Sequence, residues 1–221
     1  MTRLTFLLLG SVAMSANAET YVTENGTYEF PAGKVHREIL EDQHLTVLGV
    51  TVGKQTLNDV QRRLGSTVIL PRREQAPKRI CYVSSRDDDG TIVVFEAGAI
   101  GGWEEITSVS IFSRKAKFVE RPSCAASGII SKDVRTPRGL RLELDRRDLT
   151  KMLGAPTAER SNNVLYVYRK ERRMTQEQIE KMAKLWPQVK GHPFADVSSD
   201  IELTFADSKL VSLTISKVET Y

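Results

Sequence analysis

Cysteine and histidine are scarce in this chain, two of the first and three of the second in 221 residues. Thiol and metal chemistry need such residues in clusters, and here they stand apart. There is no HExxH run, no paired-cysteine metal spacing and no GxSxG elbow, so no catalytic residue and no cofactor is assigned. His36, His44 and His192 are isolated. His36 and His44 could meet on a folded N-terminal segment to bind zinc, but ordinary surface imidazoles are the simpler reading. Charge of one sign is also in short supply. The net charge is +4, and Arg3 supplies one of those charges. So small a surplus does not call for nucleic acid, and Lys170, Arg172 and Arg173 read as solvated surface. After the first apolar stretch no segment is long enough to span a membrane.

That first stretch is informative. Arg3 precedes the apolar run LTFLLLGSVAM (Leu4 to Met14), which is followed by Ser15, Ala16, Asn17 and Ala18. This is the basic, apolar, small-residue order of a cleavable signal peptide, with cleavage after Ala18. About eleven apolar residues would cross only about half of a 30 Å hydrocarbon core. No cysteine stands at the expected cut to accept a lipid. The mature chain is therefore expected to be exported and free, in a periplasm or outside the cell, with no membrane span. In that compartment Cys81 and Cys124 are expected to form one disulfide. The alternative is a thiol enzyme, a periplasmic hydrolase for example, with Cys124 in PSCAAS activated by a histidine.

With 40% hydrophobic and 27% charged residues the remainder can build an ordinary core. It shows self-similarity. Gly49 to Gln55 runs into Thr56, Leu57, Asp59, Val60, Leu64 and Gly65, and Gly139 to Leu144 runs into Asp145, Asp148, Leu149, Leu153 and Gly154. Thr56 and Asp145 suit the N-cap, Asp59 and Asp148 the N3 position, and the two glycines the C-terminal stop. Leu144 can staple onto Leu149. The strands that follow also match: ICYV at 80–83 with VLYV at 164–167, TIVVF at 91–95 with IELTF at 201–205, and ITSVSI at 106–111 with LVSLTI at 210–215.

The expected fold is α+β with two tandem repeats, each a short helix packed on a three-stranded antiparallel sheet. The boundaries are a signal peptide at 1–18, an N-terminal hairpin and connector at 19–45, repeat one at 46–120, a linker at 121–137 and repeat two at 138–221. Repeat two carries a helical insertion at 169–199. Its helix starts at Thr175 with a capping box to Gln178, is stapled by Met174 and Ile179, and stops before Pro187. The apolar stripe of Ile179, Met182, Ala183 and Trp186 either packs on its own domain or contacts a partner. Tyr21 to Phe30 around Asn25-Gly26 reads as a hairpin, and Val35 to His44 as a short helix or irregular chain. Asp87 to Gly90 reads as a turn, since the spacing of a calcium loop is missing. GAIGGW, with Gly98, Gly101 and Gly102, is a strand-connecting loop whose Trp103 is a core anchor or an interface aromatic.

Asp145, Leu149, Leu153, Gly154, Pro156, Tyr166, Tyr168, Arg169, Leu203 and Phe205 together resemble the SmpA/OmlA family of outer-membrane assembly lipoproteins. The doubling resembles the tandem fold of β-lactamase inhibitory proteins. The resemblance spans about residues 46 to 112 and 138 to 216. It implies a non-catalytic module that binds a protein or an envelope component. Trp103, Tyr82, Tyr166 and Trp186 are the candidate partner-binding residues.

Overall fold

Strict alternation makes strands β1 (Ala18–Thr23) and β2 (Gly26–Pro31) a hairpin, with Thr23 facing Gly26 across the turn. A computed structural model describes residues 18–23, 25–71, 77–98, 105–116, 124–184, 187–191 and 193–220. Residues 1–17 of the segment expected to be a signal peptide, and Trp103, Trp186 and His192, lie outside the described residues. After the hairpin, a 3-10 turn at Ala32–Lys34 and helix α1 (Asp42–Leu45) lead to a two-stranded ribbon, β3 (Thr46–Val47) and β4 (Val50–Thr51).

Helix α2 (Leu57–Leu64) begins with the reciprocal capping box of Thr56 and Asp59. It buries Leu57, Val60 and Leu64 on one face and stops at Gly65, whose φ of +103° disfavours other residues. Strands β5 (Leu70–Pro71), β6 (Lys78–Ser84), β7 (Ile92–Ala97), β8 (Ile106–Phe112) and β9 (Ala125–Ser127) follow. Helix α3 (Arg146–Leu153), capped by Asp145 through the Asp148 amide, precedes β10 (Ala158–Arg160) and β11 (Asn163–Arg173). Helix α4 (Gln176–Ala183) carries the Thr175–Gln178 capping box, and β12 (Phe194–Ala206) and β13 (Lys209–Thr220) close the chain.

These strands correct the tandem-repeat expectation. The chain is α+β, but strands β5 to β13 form one mixed sheet in the order β10-β11-β12-β13-β8-β7-β6-β5, with β9 added parallel to β6. Two separate three-stranded sheets would each leave a long unpaired edge, a costly arrangement. Instead β8 and β13 pair with each other, Ser108 opposite Ser216, Ser110 opposite Thr214 and Phe112 opposite Ser212. The resemblance to the SmpA/OmlA family and to β-lactamase inhibitory proteins depended on repeated helix-plus-three-strand units, and the continuous sheet overturns it. The envelope role it implied loses its footing with it. The insertion at 169–199 is also less helical than expected, because β11 and β12 stay paired out to Arg173 and Phe194 and only the tip holds α4. Met174, Val189 and Ala195 pack there with Ile179 and Met182.

One sheet face carries the main core. Leu57, Val60 and Leu64 of α2 and Leu149 and Leu153 of α3 pack on Ile80, Tyr82, Phe95, Tyr166, Ile201 and Leu203. Burial of this kind contributes about 1.5–3 kcal/mol per large apolar side chain and holds helices too short to persist alone. The other face is covered at its two ends. Tyr28, Phe30 and Val35 lie on Leu165 and Val167, while Cys81, Ile92 and Val94 pack with Cys124. Hydroxyls latch the hairpin: Tyr21 Oη donates to Asp200 Oδ1 at 2.8 Å, and Thr23 Oγ1 and Tyr28 Oη donate to Glu202 Oε1 at 2.7 and 2.8 Å.

Tyr82 and Tyr166 are both 1% exposed, so neither offers its ring to a partner. Each hydroxyl instead donates to the carbonyl of the glycine that ends a helix, Tyr82 to Gly65 at 2.6 Å and Tyr166 to Gly154 at 3.4 Å. Burial raises both phenol pKa values above the usual range. The shorter bond is the stronger tether. Tyr82→Phe is expected to lower stability by about 1 kcal/mol and Tyr166→Phe by less. Urea midpoints of the two variants check the order, and an equal or reversed loss would contradict it.

Candidate binding groove

Over its described residues, 124–137, the linker expected at 121–137 is a built wall. From Ile129 onward its apolar residues alternate between inside and outside. Ile130, Val134 and Leu140 are buried in the main core, while Ile129 is 57% exposed. Local hydrogen bonds fix the wall's course: the Asp133 amide donates to Ser131 Oγ at 3.2 Å, and the Leu140 amide donates to Thr136 Oγ1 at 3.1 Å. Thr136 and Leu140 also exchange a backbone bond of 3.0 Å from the Thr136 amide to the Leu140 carbonyl. A further anchor comes from the acidic turn. Asp89 Oδ2 accepts from the Lys132 amide at 2.8 Å, and its Oδ1 accepts from the Thr91 amide at 3.0 Å. Burial raises the Asp89 pKa, but the Thr91 hydroxyl, which also donates to Oδ1, and then these two amides outweigh it and hold the carboxyl below the usual range. Asp87 and Asp88 remain exposed.

Facing this wall is the ribbon turn between β3 and β4. Together they border a wide, open groove of about 790 Å³. Its lining is mixed: Leu48, Ile129, Val134 and Pro137 supply apolar surface, and Thr46, Ser131 and Thr136 supply hydroxyl-bearing residues. Arg135 and Arg138 stand on it, with Asp133 as the lining carboxylate. Leu48 and Gly49 have φ of +53° and +74°. A Cβ on Gly49 would collide with the Arg63 guanidinium, which lies across this backbone and donates from Nε to the Leu48 carbonyl at 2.5 Å. Glycine here leaves room for Arg63 to lie against the backbone of the turn. His44 is buried behind Arg138, whose amide donates to the Gln43 carbonyl at 3.4 Å. Burial first, and then the Arg138 charge, lowers the His44 pKa, with Glu41 and Glu38 acting in the opposite sense.

The other sequence candidates fall elsewhere. Cys81 and Cys124 form a disulfide, so the thiol-enzyme alternative has no free sulfur to use. His36 stacks on Tyr168 at 4.7 Å between ring centroids, and its Nε2 lies 3.1 Å from the Ala155 carbonyl. Among the described residues no group of three His, Cys, Asp or Glu side chains could hold a metal. No helix among them is long and apolar enough to cross a membrane. Arg172 is not simply solvated: it meets Glu219 at 2.5 Å and Gln178 Oε1 at 3.0 Å. Of GAIGGW only the first glycine is described, directly after β7.

Sequence reasoning passed over the groove residues because 121–137 reads as a connector. A signal was present. Lys132, Arg135, Arg138 and Arg141 recur at every third position, and Val134, Thr136 and Leu140 between them are buried. The chain matches no protein family, no curated protein and no solved structure.

Proposed function

We propose that this protein is an exported, non-catalytic binding module and that the groove between the ribbon turn and residues 129–139 receives a peptide segment of a partner protein. The observation that carries this reading is the groove itself, a preformed concavity of about 790 Å³ with both apolar and hydrogen-bonding lining. That size and mixture suit a ligand of several residues. The wall bonds to itself and to Asp89, so little ordering entropy opposes binding. The export half of the reading is supported by the N-terminal sequence pattern and by the disulfide, which persists in an oxidising compartment.

A seven-residue random peptide library displayed on phage tests the groove. Selection on the wild-type protein is expected to enrich peptides that bind Leu48→Asn/Ile129→Asn at least tenfold more weakly. Asparagine accepts the left-handed backbone at position 48, so the variant keeps its fold while losing apolar contact. If nothing is enriched, or the enriched peptides bind both proteins equally, the groove is not the binding site.

A further inference from the structure

Two guanidinium groups line this groove and a third lies against the turn at its edge, and among the described residues no ion pair ties any of them to a carboxylate. Arg135 and Arg138 line it, and Arg63 lies against Leu48 and Gly49 at its edge; all three are exposed. Several other basic side chains pair with acids: Lys54 with Asp42, Arg62 with Asp59, Arg146 with Glu159, Arg169 with Glu19 and Arg172 with Glu219. Among the described residues Asp133 is the single carboxylate on the lining, and no ion pair ties it to these arginines. Leu48, Ile129, Val134 and Pro137 sit among the arginines.

An arginine fork receives a carboxylate through two parallel hydrogen bonds, and it holds its charge at any working pH. Guanidinium groups interleaved with apolar surface therefore select a chain that offers carboxylates and apolar side chains together. Resting on the peptide-binding reading above, we infer that the groove's occupant is an acidic, extended segment of a partner protein, its carboxylates received by Arg63, Arg135 and Arg138. Charge complementarity sets the choice of partner, and the apolar floor sets its register.

The test uses the full chain and three fluorescent heptapeptides that alternate leucine with glutamate, glutamine or lysine. Fluorescence anisotropy at low salt is expected to show the glutamate peptide binding at least tenfold more tightly than the glutamine peptide, with the lysine peptide weakest. Half-molar salt is expected to erase most of that difference. Arg135→Glu/Arg138→Glu removes the preference for glutamate, whereas Arg147→Glu, on the exposed face of α3, leaves it intact. Circular dichroism verifies that both variants fold. Equal binding of the glutamate and glutamine peptides overturns the charge inference but leaves the peptide-binding reading standing. Binding of none of the three overturns the inference, and the phage selection then decides whether the broader reading survives. An equal loss in Arg147→Glu, or displacement of the glutamate peptide by an equimolar amount of tripolyphosphate, points to general anion attraction and overturns it as well.

Discussion

Replacing Cys81 and Cys124 by serine is expected to lower the free energy of unfolding by about 4 kcal/mol. The bridge joins residues 43 apart in sequence, and a loop of that size loses about this much chain entropy when it is closed in the unfolded state. The structure adds a local consequence. Strand β9 meets β6 through only three residue pairs, Tyr82 with Ala125, Val83 with Ala126 and Ser84 with Ser127. A parallel pairing so short is weak by itself. The bridge sits immediately before it, with Cys81 on β6 and Cys124 adjoining Ala125, and so fixes where β9 docks. Two measurements separate the global from the local effect. Urea unfolding of the double-serine variant reports the loss of stability, and hydrogen exchange at Ala125–Ser127 reports whether β9 opens before the rest. An unchanged midpoint would mean that the 43-residue loop is already ordered in the unfolded chain. Unchanged exchange would mean that the backbone bonds alone hold β9. The same cystine explains why Cys124 does no thiol chemistry here.

Local features of this fold were legible in the sequence, whereas its strand partnerships were not. Thr56, Asp145 and Thr175 cap helices where their spacing to Asp59, Asp148 and Gln178 places them, because a cap needs only the next three residues. The hairpin around Asn25 was readable for a similar reason, and the cystine because two cysteines allow a single pairing. Pairing of β8 with β13 joins residues about a hundred positions apart, and nothing local in ITSVSI or LVSLTI distinguishes a sheet edge from a sheet centre. Two sheets and one sheet therefore predict the same alternation. The partner-binding role suggested for Tyr82 and Tyr166 failed for a different reason, since strand parity was available. Tyr82 shares a face with Ile80, and Tyr166 shares one with Val164, so both belong to the core side. Aromatic character alone had suggested contact with a partner. The groove was missed because each of its walls looks like a loop. Only the folded chain brings the Leu48-Gly49 turn opposite Arg135 and Arg138.

The second large effect concerns the hairpin latch and its dependence on pH. Asp200 lies beneath β1, accepts from Tyr21 Oη at 2.8 Å and has its pKa raised to about 6. Burial is the main cause, and the neighbouring Glu202 charge adds to it, while hydrogen bonds from Tyr21 and Ser216 oppose it. Tyr21 responds in kind. Its own pKa is raised, chiefly by burial and then by the Asp200 charge, and Ser198 and Arg169 oppose the rise. A carboxyl whose folded pKa exceeds its unfolded value binds its proton more tightly in the folded chain. Its favourable contribution is complete below the unfolded value near 3.8 and is lost as pH rises through about 6. At neutral pH the folded protein therefore carries an ionised group it would rather hold neutral. The difference of about two pKa units corresponds to about 3 kcal/mol as an upper bound. Asp200→Asn keeps an acceptor for Tyr21 and never ionises, so it is expected to be more stable than wild type at pH 7.5 by up to about 3 kcal/mol, the gap narrowing to about 0.5 kcal/mol by pH 4. Asp59, Asp89 and Glu219, whose pKa values are lowered, stabilise in the opposite sense and lose that contribution as pH falls. They are present in both proteins and cancel in the difference. Urea midpoints for the pair at half-unit steps from pH 4 to 7.5 decide the matter. A gap that does not change with pH would show that Asp200 is ionised at no cost and that the latch is held by its hydrogen bonds alone.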